Sequence, residues 1–216
     1  MFLRTLLTIF FIPIIVLASA NSVEAKGPLR WSAASSNSPS FKLFDVNRIG
    51  AWISNEGEFT SFRITNNAGM EWPIGSSKTI NFQSGIWIAG LVDGEIRTAV
   101  AEYVTEFRGG TYESYPDNPD SIRYRIYSID KFSGPGDEDW DNWPASDGAP
   151  VDSNGDPLLF GDKSYWSVFH DADSAAHVTP FNTDPLGIEV RMTIWGYDEA
   201  GTLGDVMYLN FQIFNK

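Results

Sequence analysis

The chain has 216 residues, a formal net charge of −13, 14% aromatic residues including eight Trp, and no cysteine. Without cysteine there is no disulfide framework, thiolate nucleophile or thiolate metal site. So acidic a chain, with no Lys/Arg cluster, is repelled by a phosphate backbone, which argues against a nucleic-acid partner.

The first 25 residues, "MFLRTLLTIFFIPIIVLASANSVEA", carry one positive charge at Arg4 and then an apolar run from Leu6 to Ala18. Two small-residue cleavage candidates follow, Ala18-Ser19-Ala20 and Val23-Glu24-Ala25. That is the pattern of a secretory signal peptide, so the mature chain is expected to be secreted or held at the cell surface. The run is short for a membrane span, which needs about 20 residues, and Pro13 interrupts it. No later segment is apolar enough to span. Residues 26–45, rich in Ser, Asn and Ala, read as a flexible leader. Residues 46–216 then form one β-rich domain.

Short strands separated by Gly, Asn, Asp and Pro are expected from there on. "EFTSFRIT" alternates Phe59, Ser61 and Arg63 against Thr60, Phe62 and Ile64. "SGIWIAGLVDGEIRTAVAEYV" reads as a hairpin turning at Asp93-Gly94. Ile86 and Ile88 lie on one face, Trp87, Ala89 and Leu91 on the other; both are apolar, so a central strand is expected. Trp87 and Trp195, each within a strand, are assigned to the core. "SIRYRIYSI" sets Ile122, Tyr124 and Ile126 against Arg123, Arg125 and Tyr127, as in a half-buried strand.

The last pair is the best defined. "GIEVRMTIWGY" places Ile188, Val190, Met192 and Ile194 on one face. "DVMYLNFQIFNK" places Met207, Leu209, Phe211 and Ile213 inward. Two period-2 runs joined by a short Gly-containing loop predict an antiparallel hairpin of Gly187–Tyr197 with Asp205–Asn215. No sustained 3.6-residue period follows the signal. The class is all-β, an antiparallel β-sandwich of immunoglobulin/fibronectin-like or jelly-roll-like type. The final strand runs to Lys216 with its apolar face undiminished, so the domain is expected to be truncated, the N-terminal piece of a longer protein.

Between Asp137 and Asp173 lie ten acidic residues and one Lys, a long acidic loop whose like charges need solvent or a cation. Asp152, Asn154 and Asp156 stand at the 1, 3, 5 spacing of a calcium loop. The helical form fails, because Gly155 is at position 4 and Lys163 at position 12, where a bidentate Glu belongs. A looser β-loop calcium site adding Asp162, with Asp137 or Asp139, remains as a candidate. The simpler reading, which we prefer, is an Asx-rich turn bonding its own backbone. "GDPLLFGDKS" has the wrong glycine spacing for a phosphate loop and carries Asp162 where it would repel phosphate. His170, Asp171, Asp173 and His177 are zinc-binding types at a spacing that fits no standard motif. There is no nucleophile elbow, and no pair of carboxylates is singled out for glycoside chemistry. No catalytic residue is assigned. Trp140, Trp143 and Trp166, in or beside the acidic loop, are candidates to stack on sugar rings or, alternatively, to pin the loop to the sandwich.

"SGIWIAGLVDGEIRTAVAEY" and "TDPLGIEVRMTIWGYDEAGTLGDVMYLNFQIFNK", with the signal peptide, resemble the N-terminal region of large secreted β-rich proteins of Bacteroidetes-like bacteria, which commonly end in a type IX secretion sorting domain. The resemblance covers most of residues 46–216 and carries no catalytic residue. It implies an exported module with further β segments beyond it. Together these features predict a non-enzymatic structural or adhesive β module, with glycans or other surface proteins as partners. The alternatives are a carbohydrate-binding module, or the N-terminal accessory part of a secreted hydrolase.

Overall fold

Short runs of β-branched and aromatic residues between Gly, Asn and Pro turns fold into antiparallel strands with little helix. The computed structural model describes residues 40–62, 66–102, 104–116 and 123–216. The expected signal peptide, the leader up to residue 39 and Ile122 lie outside these residues. β1 (Phe41–Phe44) pairs with β2 (Gly50–Ser54), Phe44 facing Ala51 and Leu43 facing Trp52. β1 therefore falls inside the span that composition assigns to the leader, and Phe44 is fully buried in the core.

β3 (Glu58–Phe59) and β4 (Ser61–Phe62) are two short strands where alternation predicts one. Thr60, at φ 67°, breaks the run between them, and residues 63–65 are not described. β4 forms a separate ribbon with β5 (Asn67–Ala68). With β6 (Met70–Glu71), β7 (Thr79–Asn81) and β8 (Ser84–Gly85), the first sheet runs β7-β6-β2-β3-β8, with β1 also on β2.

β9 (Trp87–Val92) and β10 (Glu95–Val100) form the expected hairpin. Asp93 and Gly94 both take positive φ, 53° and 86°, as a two-residue type I′ turn requires. The strand is not central, however. Among the described residues β9 pairs only with β10, and its outer face carries Trp87 at 55%, Leu91 at 73% and, across from Leu91, Ile96 at 71% exposure. Two apolar faces predict cover on both sides, but only the Ile88 and Val92 side packs against the core.

The second sheet holds β11 (Arg108–Gly109), β12 (Tyr127–Asp130), β13 (Lys163–His170), β14 (Ile188–Gly196) and β15 (Tyr208–Asn215). β14 lies between β13 and β15, and β11 and β12 share the far edge of β13. The predicted terminal hairpin is present, with Ile194 opposite Leu209 and Met192 opposite Phe211. Ile188, Val190, Met192 and Ile194 join Ala51 and Ile53 of the first sheet in one buried cluster, so the fold is all-β, with antiparallel sheets packed face to face. Leu209 and Phe211 pack on that cluster. Ile213, expected inward, is 51% exposed. Trp195 is half-buried on the outward side of β14, between Phe160 at 5.4 Å and Tyr208 at 5.2 Å, so it is not a core residue.

The sheet's outward face has its own smaller core, Tyr124, Tyr127, Ala149, Trp166 and Val168, covered by the acidic loop. That loop contains α1 (Glu138–Asp141). No helix among the described residues is long and apolar enough to cross a membrane.

Candidate functional site

Tyr127 leads out of the "SIRYRIYSI" segment, where regular strand begins only at β12. The predicted face of Arg123, Arg125 and Tyr127 becomes one wall of a cleft of about 490 Å³; the other wall comes from the acidic loop just after α1. Trp143 and Tyr127 meet edge to face there, ring centroids 6.2 Å apart. Asp141, Asn142 and Ser146 at the rim are exposed.

The loop is held by ion pairs that its many acids make available. Asp139 of α1 accepts from Lys42 of β1 at 2.7 Å, the Ser128 amide at 2.9 Å and Arg125 at 2.8 Å. Burial pushes the Asp139 carboxyl up, but these donors outweigh it and hold it below the usual carboxylate range. Asp147, buried, takes Arg123 through two nitrogens at 2.8 and 3.2 Å. Such a bidentate pair fixes the guanidinium plane. The Arg125 guanidinium lies 4.3 Å from the Tyr127 ring centre, a cation–π placement. Gly148, at φ 96°, closes the turn against the Arg191 guanidinium, where a Cβ has no room.

The three candidate Trp residues separate. Trp166 is 2% exposed in β13 and belongs to the outward core. Its ring is therefore not available for stacking on a ligand. Trp143 both pins the loop, donating to the Pro150 carbonyl at 2.8 Å and packing on Trp166, and lines the cleft. Trp140 is half-buried on α1, outside the cleft wall.

The "DSNGD" stretch is an Asx turn. Asp152 Oδ1 accepts from the amides of Asn154 at 2.8 Å and Asp156 at 3.0 Å, and the Asp152 amide donates back to the Asp156 carbonyl at 2.8 Å. Donation from the Asn154 amide first, then Asp156, holds the Asp152 carboxyl below its usual range. Asp162 is engaged elsewhere, accepting from the Asp198 amide and pairing with Lys131 at 3.6 Å. Asp137 accepts from the Gly134 amide. Among the described residues, no group of three or more His, Asp or Glu side chains is placed to hold a metal ion.

The four zinc-type residues also divide. His170 Nδ1 accepts from the Ala172 amide at 3.1 Å, and Asp173 pairs with Arg108 at 3.1 Å. Asp171 accepts from the amides of Leu186, Gly187 and Ile188. His177 meets Asp171 and Glu106 in a buried cluster. Glu106, in "VTEFRG", gives no sequence signal for this, since an isolated acid in a mixed run reads as surface. The cleft residues Asn142, Ser146 and Asp147 were equally silent; Arg123, Arg125 and Tyr127 were marked by sharing a strand face and Trp143 by its ring beside the acidic loop.

No family model matches this chain, and neither curated proteins nor solved structures give a match.

Proposed function

We propose that this chain is a non-enzymatic, adhesive β module of an exported protein, secreted or displayed at the cell surface, and that its cleft binds a short neutral glycan. The observation that carries the reading is the cleft itself. Its ring from Trp143 offers an apolar surface, and Asn142, Ser146, Asp141 and two arginines surround it with donors and acceptors. A largely formed cleft with a few convergent polar groups is the usual form of a small-ligand site. Opposite charges balance within it, Arg123 and Arg125 against Asp141 and Asp147, which suits an uncharged ligand. Both carboxylates have structural tasks: Asp147 orients Arg123, and Asp141 accepts from the Gly136 amide at 3.1 Å. That commitment favours holding a ligand over acid–base work on it. The signal-like N-terminus and the resemblance to type IX secretion cargo support export.

The test is a glycan array probed with the secreted chain, followed by titration of any hit. Retention of a neutral oligosaccharide is expected, weakened at least tenfold by Asn142→Ala, which leaves the core untouched, and abolished by Trp143→Ala. An array without a hit, or binding unchanged in both variants, would remove the reading.

A further inference from the structure

The β10–β11 connection and the segment after β13 meet at a buried cluster that the cleft does not use. Glu106 is fully buried and His177 nearly so, with His177 Nδ1 3.7 Å from Glu106 Oε2, within ion-pair reach though longer than a hydrogen bond. His177 Nε2 lies 2.9 Å from the Asp171 carbonyl oxygen. A carbonyl can only accept, so Nε2 carries a hydrogen and Nδ1 faces the carboxylate. Glu106 Oε2 accepts from the Val100 amide at 2.9 Å. Glu106 Oε1 and His177 Nδ1 have no hydrogen-bond partner among the described residues.

With Glu106 ionised and Nδ1 bare, two acceptors would confront each other in a desolvated site. The surrounding charges make this worse. Asp171 and Glu102 both act on Glu106 with negative charge. Glu56 lies across Thr105, whose hydroxyl donates to the Glu56 carbonyl. Arg108, two residues on, is taken by Asp173. One proton resolves the conflict wherever it sits, as imidazolium facing carboxylate or as imidazole facing carboxylic acid.

We propose that Glu106 and His177 hold a single proton between them, and that this proton latches the 171–187 connection to the 101–107 connection. The latch reaches further than the pair. Asp171 gathers three successive amides at the start of β14, and Phe181 on the same connection packs edge to face on Trp87 of β9 at 5.8 Å. Releasing the proton frees this connection while the core of β13, β14 and β15 stays paired.

Burial pushes the Glu106 carboxyl up, with His177 and the Val100 amide opposing, and Asp171 and Glu102 adding to the rise. A carboxyl raised in the folded state contributes stability that is complete at low pH and lost as pH rises through its folded value. An unfolded chain also binds a proton on its imidazole below about 6.5. The net loss from the pair therefore starts above that pH.

The experiment compares wild type with Glu106→Gln, which keeps the size of the side chain and removes the titrating carboxyl that faces Nδ1. Above pH 6.5 the wild-type unfolding constant should rise by up to tenfold per pH unit relative to the variant. Amide protection factors at Leu186, Gly187 and Ile188, corrected for the intrinsic rise of exchange with pH, should fall over the same range in wild type only. Equal pH dependence in the two proteins overturns the proposal. Nitrogen-15 NMR of wild-type imidazoles, needing no variant, is the second reading, and only His170 and His177 contribute. A His177 ring protonated on Nε2 at all pH values, with a Nδ1 shift that moves together with the loss of protection, supports the latch. A ring without the Nε2 proton, or a Nδ1 shift constant while protection falls, overturns it.

Discussion

Replacing His170 should remove one defined part of the chain's acid sensitivity. His170 ends β13, 3% exposed, opposite Glu189 and Arg108 on the neighbouring strands and flanked by the rings of Tyr112 and Tyr115. Burial pushes its imidazole down to about 4, with Arg108 adding to the effect and Asp173 opposing it. The hydrogen bonding agrees, because Nδ1 accepts from the Ala172 amide and a proton there would break that bond. The folded state thus binds fewer protons than the unfolded chain between about 4 and the ordinary imidazole value of about 6.5. Stability from this group is complete above that window and is lost as pH falls through it.

From pH 7.5 to 4.5 the loss amounts to about 2–3 kcal/mol for one such group. Urea unfolding of wild type and His170→Gln at both pH values gives the difference directly, since carboxylates common to both proteins cancel. Wild type should lose about 2–3 kcal/mol more than the variant over this interval, whatever cost the substitution carries at pH 7.5. Equal losses would refute the reasoning. So would a His170 ring titrating near pH 6.5 in the folded protein.

Three further outcomes follow from the burial pattern and the loop. Met192→Ala, which empties a fully buried position between the sheets, should cost about 2–5 kcal/mol. Leu91→Ser on the outer face of the β9–β10 hairpin should stay within about 0.5 kcal/mol; comparable losses by urea unfolding would mean that this face is covered. Calcium should raise the melting temperature no more than sodium at matched ionic strength, because the Asp152 carboxylate is already turned onto the amides of residues 154 and 156. A calcium-specific rise lost in Asp152→Ala would restore the metal reading.

The terminal hairpin was legible because its first strand alternates in polarity, with Ile188, Val190, Met192 and Ile194 on one face and Glu189, Arg191 and Thr193 on the other, so that period 2 fixes which residues enter the apolar core. Period 2 also grouped Arg123, Arg125 and Tyr127, which is how one wall of the cleft entered the sequence; of the loop residues that face it, only Trp143 was marked, by its aromatic ring beside the acids. β13 escaped notice for the opposite reason. Tyr165 and Phe169 serve the inner core while Trp166 and Val168 serve the outer one, and a strand buried on both faces shows no alternation. Trp166 consequently read as a residue in or beside the acidic loop, set either to stack on a ligand or to pin the loop, and not as part of a strand. The β9–β10 hairpin shows the converse ambiguity. Its two apolar faces look the same in sequence as those of β13, yet one is open to solvent.

What decides between these cases is the cover supplied by distant residues. Ala149 and Trp143 reach β13 only because the acidic loop folds back, and that return depends on Lys42 meeting Asp139 and Arg123 meeting Asp147, across 97 and 24 residues. Several acids that read as mutual repulsion along the chain, Asp139, Asp147 and Asp173 among them, act in the fold as partners for cations brought from other segments. The same holds for Glu106 and His177, whose conflict and its remedy by one proton exist only where the two connections meet. Local pattern therefore identifies which residues a sheet can bury, while long-range pairing determines which face stays open to solvent.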